Sequence, residues 1–140
     1  MGQGPRDAPA PIVAGPYDVA FERYDGATSV PAGAVFLAEV GVRNTGSSSW
    51  ASSGANPVFV SYRWLTANRV EVMADQPRFP LPRVVAPGDS CRVPIRVTAP
   101  SHSGRWTLAI DLVKEGVTWF SEAGQSPLRV TVRTTRRRAT

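Results

Sequence analysis

The stretch that decides the fold is Gly104-Arg105-Trp106-Thr107-Leu108-Ala109-Ile110-Asp111-Leu112-Val113-Lys114-Glu115-Gly116-Val117-Thr118-Trp119-Phe120. Trp106, Leu108, Ile110 and Leu112 recur at a period of two, which predicts a strand with one strongly apolar face. Lys114-Glu115-Gly116 reads as a tight turn and Val117 to Phe120 as the return strand. Two of the chain's four tryptophans lie in this hairpin, which is expected at the centre of a β-sandwich. Trp119 and Phe120 are neighbours, so in a strand they face opposite ways and one of them is expected outside the main core. Asp111 alternates with Ile110 and Leu112 and is expected on the face away from that core. Glu115 falls in the turn, and both carboxylates fit as solvated charges.

Outward from the hairpin the same period repeats. Upstream, Cys91, Val93, Ile95 and Val97 alternate with the outward Arg92 and Arg96. Pro57 to Leu65 reads as a strand with Val58, Val60, Tyr62 and Trp64 on one face and Phe59, Ser61, Arg63 and Leu65 on the other. Phe36, Ala38, Val40 and Val42 form the buried set of a strand from Ala34 to Asn44. Asn44-Thr45-Gly46 stops that strand, as residues that accept positive φ. Trp50, at the end of the polar loop after it, is expected to tuck back over one end of the sandwich or to serve as a stacking platform. Tyr17, Val19 and Phe21 mark a first strand, and Val30-Pro31-Ala32-Gly33 reads as a turn. Arg69 to Met73 is a short alternating strand. Pro77, Pro80, Pro82 and Pro87 remove ladder donors, so residues 77–88 read as a crossing segment or a broken edge. Leu128, Val130 and Val132 form the last strand.

Bulk properties agree. A chain of 140 residues suits one domain. Apolar content of 42% with 19% charge describes a globular chain rather than a disordered one. The 12 Gly and 13 Pro suit many short strands joined by turns. Short strands at even spacing, with no helix pattern between them, give the fold class: all-β, an immunoglobulin-like antiparallel β-sandwich of seven to nine strands. The expected organisation is a flexible leader over 1–15, the domain over 16–133 and a basic tail over 134–140.

Several chemistries are ruled out by counting. Cys91 is the one cysteine, so there is no intramolecular disulfide and no cysteine metal cluster. Cys91 itself reads as a small buried hydrophobe. His102 is the one histidine, which removes zinc sites built on His pairs, and it sits in a Pro-Ser-His-Ser-Gly turn. No glycine loop cradles phosphate, because Gly2 and Gly4 precede no strand–helix unit. Two carboxylates at a cleft could serve glycoside hydrolysis, but nothing in the spacing of Asp111 and Glu115 demands it. Net charge is +5, yet Tyr17 to Val132 holds 11 basic against 10 acidic residues. The basic character is thus mostly the terminal run of Arg133, Arg136, Arg137 and Arg138, and no specific nucleic-acid binding is expected. No apolar run reaches the roughly 20 residues of a membrane span.

Asn44-Thr45-Gly46 before Trp50, then Ser61-Tyr62-Arg63-Trp64, Leu81-Pro82, Pro87-Gly88, Ala99-Pro100, Gly104-Arg105-Trp106 and Asp111 to Phe120 occur in this order. The set resembles the bacterial immunoglobulin-like modules appended to glycosyltransferases, methyltransferases and other cell-envelope polysaccharide proteins. More distantly, it resembles the four-tryptophan immunoglobulin-like domain of selective-autophagy receptors. Trp106 stands where many relatives carry a tyrosine. The resemblance implies a non-catalytic accessory module of a larger protein that holds a glycan, with fusion to a catalytic domain as one arrangement. The alternative it implies is a protein-interaction or assembly module that uses an edge strand or an aromatic surface.

The candidate ligand-binding residues are Trp50, Phe59, Asp111, Glu115, Trp119 and Phe120, chosen as aromatic rings for sugar faces and as directed polar groups. No catalytic residue, metal or cofactor is expected. If Met1 is the natural start the expected compartment is cytoplasmic; for a piece of a longer protein none follows.

Overall fold

The computed structural model describes residues 14–68, 70–72 and 77–136. They form nine strands: β1 (Val19–Asp25), β2 (Ser29–Pro31), β3 (Val35–Asn44), β4 (Val58–Leu65), β5 (Phe79–Pro80), β6 (Ser90–Thr98), β7 (Gly104–Lys114), β8 (Thr118–Trp119) and β9 (Leu128–Thr135). β1, β3 and β6 make a three-stranded sheet, and β2, β9, β7, β4 and β5 follow one another in a larger one, where β8 also pairs with β7. The two sheets face each other as an immunoglobulin-like sandwich.

The core is the set of inward residues that the period of two picks out. Val40, Val42, Val93, Ile95 and Val97 come from the smaller sheet, and Val60, Trp64, Leu108, Ile110 and Leu112 from the larger; each is no more than 2% exposed. β6 alternates strictly between exposed and buried positions, with Cys91 on the buried side. Burial pushes the Cys91 thiol up from its ordinary range, as suits a packing residue rather than a nucleophile.

One polar clamp ties the sheets together. The Trp64 indole N–H donates to the Thr98 carbonyl at 2.8 Å, and the Thr98 N–H donates to the Tyr62 hydroxyl at 3.0 Å. Thr98 ends β6, an edge strand whose free peptide groups have no neighbouring strand there. Two side chains from the opposite sheet satisfy both of them. Pro94 lies on β6 at the same parity as Thr98, so its missing N–H also falls on the free edge, where a proline costs no ladder bond.

The other end of the sandwich is organised by Asn44, which is fully buried. Its amide N–H groups donate to the carbonyls of Ser48 at 2.8 Å and Val85 at 2.9 Å, and its oxygen accepts from the Gly46 N–H at 2.9 Å. The expectation that positive φ explains Gly46 is corrected: its φ lies outside the left-handed range. A Cβ there would sit 2.6 Å from the Gly15 carbonyl oxygen, so close approach demands the glycine. Trp50 bridges to Val85 and is 1% exposed, which makes it a core plug.

Three further expectations change. Val30 and Pro31, the first half of the expected turn over residues 30–33, belong to strand β2, and β2 runs parallel to β9 with Val30 opposite Thr134, so the sandwich is not wholly antiparallel. Three residues are too few to show a period, but burial of Val30 at 6% exposure holds them against the core. β9 continues through Thr134 and Thr135, which the expected boundary placed in the tail. Trp106, expected in the core, is half-buried, and its indole N–H donates to the Thr134 hydroxyl at 2.8 Å, which donates to the His102 carbonyl at 2.6 Å. That relay pins the His102 turn to β9. Residues 1–13 of the leader, Arg69, Met73 and the tail residues 137–140 lie outside the described residues. Within the expected strand at 69–73, Glu71 forms a bridge with Leu65.

Removing the Tyr62 oxygen isolates the clamp. Tyr62→Phe is expected to lower stability by about 1 kcal/mol, the usual net worth of one hydrogen bond. Trp64→Phe is expected to cost more, because it also leaves core volume unfilled. Urea denaturation of the two variants checks both the sign and the order.

Candidate functional site

Register places the outward side chains of the larger sheet in rows. Ala109 pairs with Arg63 on β4 and Arg129 on β9, Asp111 pairs with Ser61, and Val113 pairs with Phe59 and with Trp119 on β8. Residues directly opposite one another point to the same side. Phe59, Ser61, Arg63, Ala109, Asp111, Val113, Trp119 and Arg129 therefore share one face, away from the sandwich core. Phe120 takes the inward direction. It is 1% exposed and makes edge-to-face contacts with Tyr17 and Trp50, at centroid distances of 5.2 Å and 5.8 Å.

Of the six candidate residues, the structure brings Phe59, Asp111, Glu115 and Trp119 together on or beside this outer face. It takes Trp50 and Phe120 into the core, where no ligand can reach their rings.

Trp119 lies between two cations in sequence terms far apart. The Arg63 guanidinium carbon is 4.9 Å from its ring centroid and that of Arg78 is 4.8 Å away. The indole quadrupole draws both charges over the ring, which makes Trp119, Arg63 and Arg78 one stacked shelf of side chains. Arg78 is held by Glu115, Nε to Oε1 at 2.8 Å. The Glu115 carbonyl accepts a bond of 2.8 Å from the Asn56 side-chain amide, and Gly116 takes the turn at φ 77°. Glu115 thus positions the shelf from the turn.

Asp111 is the correction with the most chemistry in it. The alternation correctly turns it away from the core, but it is only 3% exposed, not solvated. β8 pairs beside β7, and the turn after it brings Ser121 onto this carboxyl. The Leu112 and Ser121 N–H groups donate to Asp111 Oδ1 at 2.8 and 3.2 Å, and the Ser121 hydroxyl donates to Oδ2. Burial pushes the carboxyl above its ordinary pKa, against the lowering effects of the Ser121 hydroxyl, the two amides and the Arg63 charge. The neighbouring Ser61 hydroxyl is buried and has no hydrogen-bond partner among the described residues.

Between these groups lies an open cleft of about 330 Å³, with Arg63 and Arg129 along its sides and Asp111, Ser121, Gln125 and Ser126 at one end. Arg63, Arg78, Ser121 and Arg129 were not among the sequence candidates. The signal for Arg63 was its parity with Phe59, and for Arg129 its parity opposite Leu128 and Val130. Arg78, in a proline-rich crossing segment, carried no periodic signal. No group of three or more His, Cys, Asp or Glu side chains that could hold a metal occurs among the described residues.

Comparison with known proteins gives the fold a context. No family model matches the sequence, and no curated protein matches it. Among solved structures, the C-terminal domain of Wzt superposes with a TM-score of 0.57 at 10% identity, over 92% of this chain and 78% of that one. The CARDB domain of PF1109 from Pyrococcus furiosus, crystallised with di-metal ions, gives 0.52 at 14% identity, over 84% and 88%. A β-glucosidase from Listeria innocua in complex with glucose gives 0.50 at 9% identity, over 86% of this chain but 16% of that enzyme. These likenesses show the fold: the chain is an immunoglobulin-like β-sandwich of the type seen in the CARDB and Wzt C-terminal domains.

Asp111→Asn keeps the shape of the carboxyl and can keep its contacts, with the new amide donating to Ser121. Because the folded pKa of Asp111 is raised, its protonated form favours the fold. That contribution is complete below the unfolded value of about 3.9 and is lost as pH rises through the raised folded value. The stability of Asp111→Asn relative to wild type is therefore expected to rise as pH increases from about 4 through the neutral range. Paired denaturation curves across that range test it, and a difference independent of pH would show that Asp111 is not shifted.

Proposed function

We propose that this chain is an accessory binding module whose outer face, centred on Trp119, holds a glycan. The observation that carries the reading is the shelf of Trp119, Arg63 and Arg78 beside a cleft with a few convergent polar groups. Sugars present flat C–H faces with hydroxyls around their rims. The half-exposed indole offers apolar surface, and Arg129 and the exposed Ser126 offer the directed groups. The sequence resemblance to polysaccharide-associated modules supports an envelope-glycan setting in a longer protein.

Binding rather than catalysis fits the chemistry of the face. Its most buried carboxylate already accepts three hydrogen bonds, and the Glu115 carboxylate is committed to Arg78. Among the described residues that line the cleft, Asp111 is the one carboxylate, so it has no acid–base partner there.

A protein partner is the second reading, favoured by a different observation. Leu37 and Val35 on the outer face of the smaller sheet are 77% and 51% exposed. Pairing through an edge strand is less favoured, since β1 carries a bulge between Phe21 and Arg23 and β6 carries Pro94. On this reading, one stoichiometric partner captured by the wild-type chain should be lost on Leu37→Asp and kept on Trp119→Phe.

Titration with a panel of cell-envelope oligosaccharides, followed by tryptophan emission, tests the glycan reading. Trp50 and Trp64 are buried, and Trp106 lies toward the other end of β7. The expected response is a saturable shift that disappears in Trp119→Phe. A panel without any response, or a shift that survives in Trp119→Phe, overturns the reading.

A further inference from the structure

We infer that the cleft over Ala109 is a subsite for the carboxylate of an acidic sugar, held between the guanidiniums of Arg63 and Arg129. The inference rests on the glycan reading above and names its substrate class. Ala109 faces Arg63 on one neighbouring strand and Arg129 on the other, so the two arginines rise from strands about 10 Å apart on the same side of the sheet. Between them stands Ala109, an uncharged residue at the base of the cleft whose own methyl is 2% exposed. The cleft measures about 330 Å³, enough for part of one pyranose ring with its substituent.

The guanidiniums are available. Arg129 is exposed, and it makes no ion pair or hydrogen bond among the described residues. Arg63 stacks on Trp119, which occupies the face of its plane and leaves its N–H edge for an acceptor. Each guanidinium carries five N–H donors in a fixed fork whose spacing matches a carboxylate. Two such forks around an uncharged floor present far more donors than a neutral sugar needs.

The rest of the cleft selects against more heavily charged anions. The Asp111 carboxyl closes one end, and the turn beyond it carries Glu122. In the same cleft a doubly charged phosphate meets about twice the repulsion from an ionised Asp111 that a single carboxylate meets. The remaining groups at that end suit hydroxyls: Ser126 is exposed, and Gln125 is fixed by bonds to Asp18 and the Val19 N–H. The body of the chain, from Tyr17 to Val132, is close to neutral, with 11 basic and 10 acidic residues, so it offers no long track for a polyanion.

The test compares uronic-acid tetrasaccharides (galacturonan, glucuronan and alginate fragments) with their carboxyl-reduced counterparts, which differ only in the group the subsite would hold. Isothermal titration on the full chain is expected to show the acidic form binding at least about tenfold more tightly, the scale of one charge-assisted hydrogen-bonded contact. Arg129→Gln should abolish that preference, lowering the acidic form's affinity at least about tenfold more than the reduced sugar's, and Arg129→Lys should restore part of it. Arg129 is exposed on a strand surface, so circular dichroism can confirm that the variants fold. Equal binding of acidic and reduced sugars, with the Trp119 response intact, overturns the carboxylate subsite and leaves the glycan face standing. Silence from both forms overturns both. Inorganic phosphate or a single-stranded oligonucleotide that displaces the uronan at lower concentration than free glucuronate would also overturn it, in favour of a general oxyanion site.

Discussion

The constraint on which the rest depends is that β7 is covered on both faces. From Leu108 to Val113 six consecutive residues are buried, none more than 3% exposed. In a two-layer sandwich the inner three, Leu108, Ile110 and Leu112, are buried by the opposing sheet. The outer three, Ala109, Asp111 and Val113, need a third layer. The hairpin supplies it: β8 doubles back beside β7, Trp119 lies over the outer face near Val113, and the turn that follows brings Ser121 onto Asp111. One short return strand therefore buries a carboxylate, raises a tryptophan onto the surface and bounds a cleft.

The clamp at Thr98 solves the complementary problem at the opposite sheet. A sandwich held by apolar contact alone leaves its sheets free to slide, because burial has no direction. Tyr62 and Trp64 add direction. Both rings lie in the core, and both polar atoms end on one peptide of β6. The free edge of that strand is thereby closed to intruding chains over the same residue, which also answers the edge-strand liability of an open sheet.

What could be read in the chain follows from which forces have a short period. Inward residues alternate, so the core sets of β3, β4, β6, β7 and β9 were legible, as was the opposition of Trp119 and Phe120. The three-residue β2 was not, since its pairing with β9 is set by a contact more than a hundred residues away. Parity gave the direction of Asp111 correctly but could not give its burial, because a period reports which way a side chain points and not what lies over it. Gly46 shows the same limit: local chemistry suggested a turn conformation, while the actual demand comes from the Gly15 carbonyl across the fold. Arg63 was visible as an outward residue, but its stacking on Trp119 depends on β8 folding back.

The arrangement of charge on the outer face argues for recognition over architecture. Surface ion pairs contribute little to stability, and a sheet that needed only solubility would intersperse signs. Here Arg105 stands directly opposite Arg133, and Arg63 and Arg129 flank a single alanine. Like charges opposite one another across a sheet are unfavourable for the fold. The one carboxylate among them, Asp111, is spent on holding the Ser121 turn. This row of arginines next to a half-exposed tryptophan is the feature on which the proposed binding face rests.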